Sequence, residues 1–179
     1  VAGPFRGYKT HLYEGGIRSS LVAWGPGLVK VENKVNRKSV FSAIDLVPSL
    51  LNIAKVKYSK EVEYDGESVS SVLLGISDDS RIAPIYFRRP PDRDAFYGDN
   101  DLPDLAVRDG KWKFLCEYDG AEPELYDIAN DLGEKNNLAE KYPKLVAKFT
   151  MSCIDWHRSM PPDNGPNLVG DVRRKASKR

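Results

Sequence analysis

The chain has 179 residues, 41% of them hydrophobic, enough for one globular domain or for part of a larger one with a small appended unit. Lysine and arginine number 27 against 26 acidic residues, and a net charge of +1 leaves no whole-surface field to draw the chain to nucleic acid or anionic lipid. The longest apolar stretch, around Leu46 to Ala54, is far short of the roughly 20 residues that cross a bilayer, so no transmembrane segment is expected.

The opening, Val1-Ala-Gly-Pro-Phe-Arg-Gly7, has neither an initiator Met nor the regions of a signal peptide, and it reads as a chain entered in the middle. Ser20-Leu-Val-Ala-Trp24 is a short apolar run closed by Gly25-Pro-Gly27, which predicts a buried strand ended by a turn. Residues 31–38 are polar and turn-like, and residues 42–54 read as a helix. Pro48 fixes where that helix starts. With Asp45 as N-cap the proline falls in the first turn, where its missing N–H costs nothing; with Ser42 as N-cap it removes an interior bond. A charged connector over 55–64 precedes Asp65-Gly66 and a short helix in Ser68-Val-Ser-Ser-Val-Leu-Leu74, stopped by Gly75, and a boundary is placed just beyond that glycine.

After Gly75 the pattern changes. Residues 83–88, 105–108, 111–118 and 124–128 are short, β-rich and separated by turn residues, which predicts an antiparallel meander. Asp109-Gly110 and Asp119-Gly120 supply residues tolerant of positive φ, as tight hairpins require. A polar loop over 131–139 leads into 143–160, whose apolar residues recur near helical spacing and predict a final helix packed on the small sheet. The tail from Pro161 is polar and basic and reads as a frayed terminus. Cys116 and Cys153, the only cysteines, have neither disulfide-framework nor metal-ligand spacing. Cys116 alternates with Trp112, Phe114 and Tyr118, while Cys153 shares a stripe with Leu145, Phe149, Trp156 and Met160. Both are read as free core thiols.

The block Gly7-Tyr-Lys9-Thr-His-Leu-Tyr-Glu14-Gly15-Gly16-Ile-Arg18, followed by Trp24-Gly-Pro-Gly27, resembles the sulfatase family's lysine, four residues, Glu-Gly-Gly, then an aliphatic residue and Arg. Further stretches stand in family order: Ile44-Asp-Leu-Val-Pro-Ser-Leu-Leu51, Asp65-Gly-Glu-Ser68 ahead of Leu73-Leu-Gly75, Val107-Arg-Asp-Gly-Lys-Trp-Lys113, and Glu124-Leu-Tyr-Asp127 followed by Asp131 and Gly133-Glu-Lys-Asn-Asn-Leu-Ala139. The resemblance covers Gly3 to about Gly165. It implies an α/β fold of alkaline-phosphatase type, in which residues 1–75 are the C-terminal part of the catalytic domain. Residues 76–160 are then a small α+β subdomain, an antiparallel sheet with a packed C-terminal helix, and residues 161–179 a polar basic tail.

The resemblance also implies sulfuric ester hydrolysis on a sulfated small molecule or carbohydrate, with periplasmic or extracellular localisation by family habit. In the family a formylglycine, made from the Cys or Ser of a C/S-x-P-S-R motif, is the nucleophile beside calcium or a similar divalent cation. That motif does not occur in these residues, and the family's Asp-Asn metal pair is expected just before Gly3. The chain is therefore read as a C-terminal portion without nucleophile or metal ligands. Asp163-Asn164-Gly165 has the letters of the metal pair, but it follows the Lys9 block and reads as a solvated turn.

By the same resemblance Lys9 contacts the sulfate, and the chemistry suits it, because a positioned ammonium stabilises negative charge that grows on sulfonate and leaving oxygens. His11, two residues on, is a candidate to face the substrate or protonate the leaving alcohol, since imidazole titrates near neutrality. Glu14, Gly15, Gly16 and Arg18 are read as support: the glycines for a tight backbone path behind Lys9, Glu14 for a loop hydrogen bond or a pair with Arg18. His157 reads as a packing residue at a helix end. Arg88, Arg89, Arg93, Phe96 and Tyr97 read either as a loop that rims a pocket for a sulfated sugar, since arginine's planar fork suits sulfate, or as a solvated loop whose charges balance nearby aspartates. Two other functions stay open: phosphate or phosphonate ester hydrolysis, and a non-catalytic piece that binds an anionic glycan or pairs with another chain. An exposed apolar face around 21–24 and 46–53 is the expected mark of an incomplete domain.

Overall fold

A computed structural model describes residues 3–29, 35–57, 61–89 and 102–161. Asp163 to Gly165, Arg93, Phe96, Tyr97 and the basic tail lie outside the described residues. In chain order the elements are helix α1 (Glu14–Ile17), a 3-10 turn (Ala43–Asp45) running into α2 (Leu46–Ile53), α3 (Ser70–Leu73), strands β1 (Ile85–Arg88), β2 (Leu105–Asp109), β3 (Trp112–Cys116) and β4 (Glu124–Asp127), and helix α4 (Pro143–Ser159). Packing divides the chain into two compact units, Val1–Arg18 with Tyr86–Arg179 and Ser19–Ile85. These units differ from a division after Gly75, because residues 3–18 pack onto the C-terminal sheet.

That sheet has the order β1-β2-β3-β4, with β2/β3 and β3/β4 antiparallel. The β2/β3 hairpin closes at Asp109↔Trp112 around Gly110, whose φ of 55° is left-handed backbone that glycine adopts without strain. Alternation along the strands gives the sheet two apolar faces. On one, Leu105, Val107, Phe114, Cys116 and Leu125 pack against Phe149 and Cys153 of α4. This is the expected helix-on-sheet contact, and both thiols are free and buried. On the other face, Ala106, Leu115 and Tyr126 pack against Leu12 and Tyr13, so the N-terminal segment is the cover that the C-terminal sheet lacks from its own sequence. His157, in the last turn of α4, lies with its ring 4.8 Å from that of Tyr118, as a packing histidine does.

The second unit is organised by polar contacts. Helix α2 starts at Leu46 directly after Asp45, and Pro48 falls in its first turn, as the proline demands. Asp45 is fully buried; its carboxylate accepts the N–H of Ser42 (2.7 Å) and of Glu67 (2.8 Å), and pairs with Arg81 at 3.0 Å. Ser49 extends the network, donating to the Asp45 carbonyl (2.5 Å) and accepting the Val69 N–H (2.8 Å). Gly66 passes so close to the helix start that a Cβ would stand 2.0 Å from the Ile44 carbonyl oxygen. Helix α3 stops at Leu73, and Gly75 has a φ of 73°, the expected glycine end.

One expectation fails here. Residues 20–24 form no strand and are not buried: Val22 is 88% and Trp24 85% exposed. A strand sequence needs a neighbour for its N–H and C=O groups and a cover for its side chains, and the one sheet among the described residues does not include this segment.

Candidate functional site

The Lys9 turn is built from close backbone contacts. Tyr8 C=O accepts the His11 N–H at 3.0 Å, leaving Lys9 exposed at the tip and Thr10 at φ 90°. A β-branched residue at positive φ is strained, and such strain persists only where surrounding contacts over-determine the backbone. His11 is half-buried and its ring lies 4.1 Å from that of Tyr8. The two sequence candidates thus share one turn, Lys9 outward and His11 against an aromatic neighbour.

Behind the turn lies α1, which the two glycines bring into contact with it. Gly15 N–H donates to the Arg6 carbonyl at 2.8 Å, and a Cβ there would stand 2.4 Å from the Gly7 oxygen. At Gly16 a Cβ would stand 2.1 Å from the His11 oxygen and 2.6 Å from the Tyr8 oxygen. No side chain fits at either position without moving the turn, which is the physical content of the Glu-Gly-Gly motif.

Of the second layer, the sequence pointed to the Glu14–Arg18 pair but not to Lys113 or Glu134. Glu14 is buried; its N–H donates to Glu134 Oε2 at 2.7 Å, and its carboxylate takes Lys113 Nζ at 3.2 Å and Arg18 Nη1 at 3.4 Å. Lys113, wholly inaccessible on β3, also donates to Glu134 Oε1 at 3.2 Å. Burial pushes the Glu134 carboxyl above its ordinary range, with Lys113 and the Glu14 N–H opposing it. One signal was legible: Lys113 alternates with Leu115, so a lysine sits mid-strand on an apolar face and needs an anion there.

A third set fastens the start of the segment. Arg6 Nη1 donates to Glu124 Oε2 (2.9 Å) and Tyr126 Oη (2.7 Å), its guanidinium lies 3.8 Å above the Tyr13 ring, and Tyr13 O–H donates to Glu124 Oε1 at 2.7 Å. Burial and the bond to Glu124 raise the pKa of both tyrosine hydroxyls. The motif stretches around 6–18, 124–127 and 134 therefore meet in space as one packing unit.

Among the described residues no group of three or more His, Cys, Asp or Glu side chains converges to hold a metal ion. Glu14 and Glu134 already enclose the Lys113 ammonium, so this acid pair does not fit the divalent cation that the resemblance implies.

No protein-family model matches the chain. A Formosa agariphila sulfatase is 32% identical over 150 residues, 78% of this chain and 26% of that protein. Mouse arylsulfatase K is 30% identical over 143 residues, 78% of this chain and 25% of its own length. The chain belongs to the sulfatase family. A third sulfatase relative, the N-acetylgalactosamine-6-O-sulfatase of Bacteroides thetaiotaomicron, is 28% identical over 162 residues, 83% of this chain and 29% of that protein. A solved structure described under the metabolism of multiple glycosaminoglycans by Bacteroides thetaiotaomicron superposes at a TM-score of 0.60 with 22% identity, covering 84% of this chain and 31% of that one. At that identity the likeness is one of fold, the alkaline-phosphatase-like α/β fold of sulfatases. The chain spans about a quarter of the length of the curated sulfatases it matches.

Proposed function

We propose that this chain is the C-terminal portion of an enzyme that hydrolyses sulfate esters on a sulfated carbohydrate, and that Lys9 contacts the sulfate. The observation that carries the reading is the Lys9 turn itself: glycines, a strained threonine and a buried carboxylate all serve to hold one exposed ammonium. Cleavage of the ester builds negative charge on the sulfonate and leaving oxygens, and an ammonium fixed in advance stabilises it without reorganisation. His11 is assigned the proton that the leaving alkoxide needs. Calcium and formylglycine would supply Lewis-acid and nucleophilic chemistry from residues outside this chain. Residues 1–75 are then the end of a larger catalytic domain and 76–160 its small subdomain, in a protein exported to the periplasm or cell exterior.

The name of the N-acetylgalactosamine-6-O-sulfatase relative supports a sulfated sugar as substrate. The exposure of Leu21, Val22 and Trp24, three large apolar residues in one short run, supports an incomplete domain. The test is hydrolysis by the full-length protein, with calcium, of 4-nitrophenyl sulfate, a 6-sulfated N-acetylgalactosamine, 4-nitrophenyl phosphate and a phosphonate monoester. Turnover of the sulfates is expected. Turnover of only the phosphorus esters moves the reading to phosphoryl chemistry, and inertness toward all four moves it to a binding role.

A further inference from the structure

The buried cluster beneath the Lys9 turn holds it from three directions, and two of its members, Lys113 and Glu134, have no part in the chemistry just described. Lys113 comes from the middle of β3, Glu134 from the loop after β4, and Glu14 from the helix directly behind the turn. Glu134 uses both oxygens: one takes the Glu14 backbone N–H at 2.7 Å, the other the Lys113 ammonium at 3.2 Å. Lys113 joins the two carboxylates at 3.2 Å each. Arg18 and Arg108 complete the surrounding charges, Arg18 at 3.4 Å from Glu14 and Arg108 acting on both glutamates through space. From Glu14 the path to Lys9 is covalent and tight, because Gly15 and Gly16 lie against the carbonyls of Arg6, Gly7, Tyr8 and His11. A shift of Glu14 therefore moves those carbonyls, and Lys9 with them.

We infer that Lys113 and Glu134 are positioning residues for the proposed sulfate contact: a buried ionic clamp through which the C-terminal sheet sets the place of Lys9. The inference rests on the reading of Lys9 as the sulfate-contacting group. Two buried carboxylates facing one buried ammonium hold a geometry through directional bonds, which apolar packing lacks. The apolar packing of Leu12 and Tyr13 keeps the segment on the sheet, and the ionic clamp adds a directional constraint on where the turn sits.

The test is a double-mutant cycle in the full-length protein with 4-nitrophenyl sulfate, using Lys9→Ala, Lys113→Met and both together. Lys113→Met is expected to lower kcat/KM by about 100-fold, the effect of an ångström-scale displacement, with Lys113→Arg recovering part of it. In the Lys9→Ala background the same change is expected to cost less than about 3-fold, because a residue acting through Lys9 has nothing left to position. Equal losses in both backgrounds would overturn the inference. Glu134→Gln, which retains an acceptor for the Glu14 N–H, serves as a second entry to the cycle where Lys113→Met does not fold. An inactive wild type would defeat the sulfatase reading rather than the clamp. Amide exchange in the full-length protein then decides: faster exchange at Glu14, Gly15 and Gly16 in Glu134→Gln, with β2 and β3 unchanged, upholds the clamp, and unchanged exchange refutes it.

Discussion

The two units of this chain solve the same problem differently. The unit formed by residues 3–18 and the C-terminal sheet buries apolar side chains on both faces of that sheet, and its buried Lys113 lies between Glu14 and Glu134. The described part of residues 19–85 is tied by a polar knot of buried Asp45, Ser49 and the Arg81 side chain with half-buried Glu67, and leaves large apolar side chains at the surface. The first is finished as packing. The second is organised but uncovered, as a segment cut from a larger sheet and helix layer would be. In both, ionic groups at the key joints hold what the local apolar pattern does not.

The comparison can be broken most forcefully at Arg81. Arg81→Met leaves the Asp45 carboxylate buried without its cation and is expected to destabilise by about 3–5 kcal/mol. The loss should be confined to residues 42–83, with β2 and β3 amides still protected when exchange is followed residue by residue. In the other unit Leu105→Ala is expected to cost about 3 kcal/mol in urea unfolding, because Leu105 lies fully enclosed against α4. Trp24→Ser should change the stability of this chain by less than about 0.5 kcal/mol. A loss near that of Leu105→Ala would mean that Trp24 is covered.

Acid sharpens the same contrast through two glutamates of opposite sign. For Glu67 burial raises the pKa, but the N–H groups of Ile82 and Ala83 at 2.8 and 2.6 Å and the Arg81 guanidinium outweigh it and hold the carboxyl below its usual range. The stabilisation it gives is complete above the unfolded value and is lost as pH falls through the folded one. Glu134 is shifted upward, so its contribution is present at low pH and is lost as pH rises through its folded pKa. Lowering the pH from 5 toward 3 should therefore reduce the protection of the Ile82 and Ala83 amides relative to their intrinsic exchange rates, and Glu67→Gln should flatten that response. The smallest expected effect is chemical: Cys116, raised in pKa by its hydrogen bond to Cys153 and by burial, should react with a thiol reagent only after denaturant is added.

Much of the finished unit was legible in the sequence, because its order comes from local rules. Strand alternation located β2 to β4, Asp109-Gly110 located the hairpin, and the stripe through Phe149 and Cys153 located α4 and its buried face. Pro48 likewise fixed the start of α2, although the cap is the Ser42–Asp45 box of the 3-10 turn before it and not an Asp45 N-cap. What escaped were pairings between distant residues: Glu14 with Lys113, Lys113 with Glu134, and Arg6 with Glu124. Their motif letters were visible, but nothing in the order of residues says which cation meets which carboxylate. Residues 20–24 failed for another reason. An apolar pattern reports that a segment needs cover, and the cover here is not among the described residues.

The central claim is that the Lys9 turn is a sulfate-contacting element of a sulfatase. It is tested most directly by the steady-state hydrolysis of 4-nitrophenyl sulfate by the full-length protein and by its Lys9→Ala variant, in calcium. The account predicts turnover by the wild type and a kcat/KM lower by about 100-fold or more in the variant, with an unchanged melting temperature. Equal rates for the two proteins would contradict it, and would leave Lys9 an ordinary surface lysine on a tightly built turn.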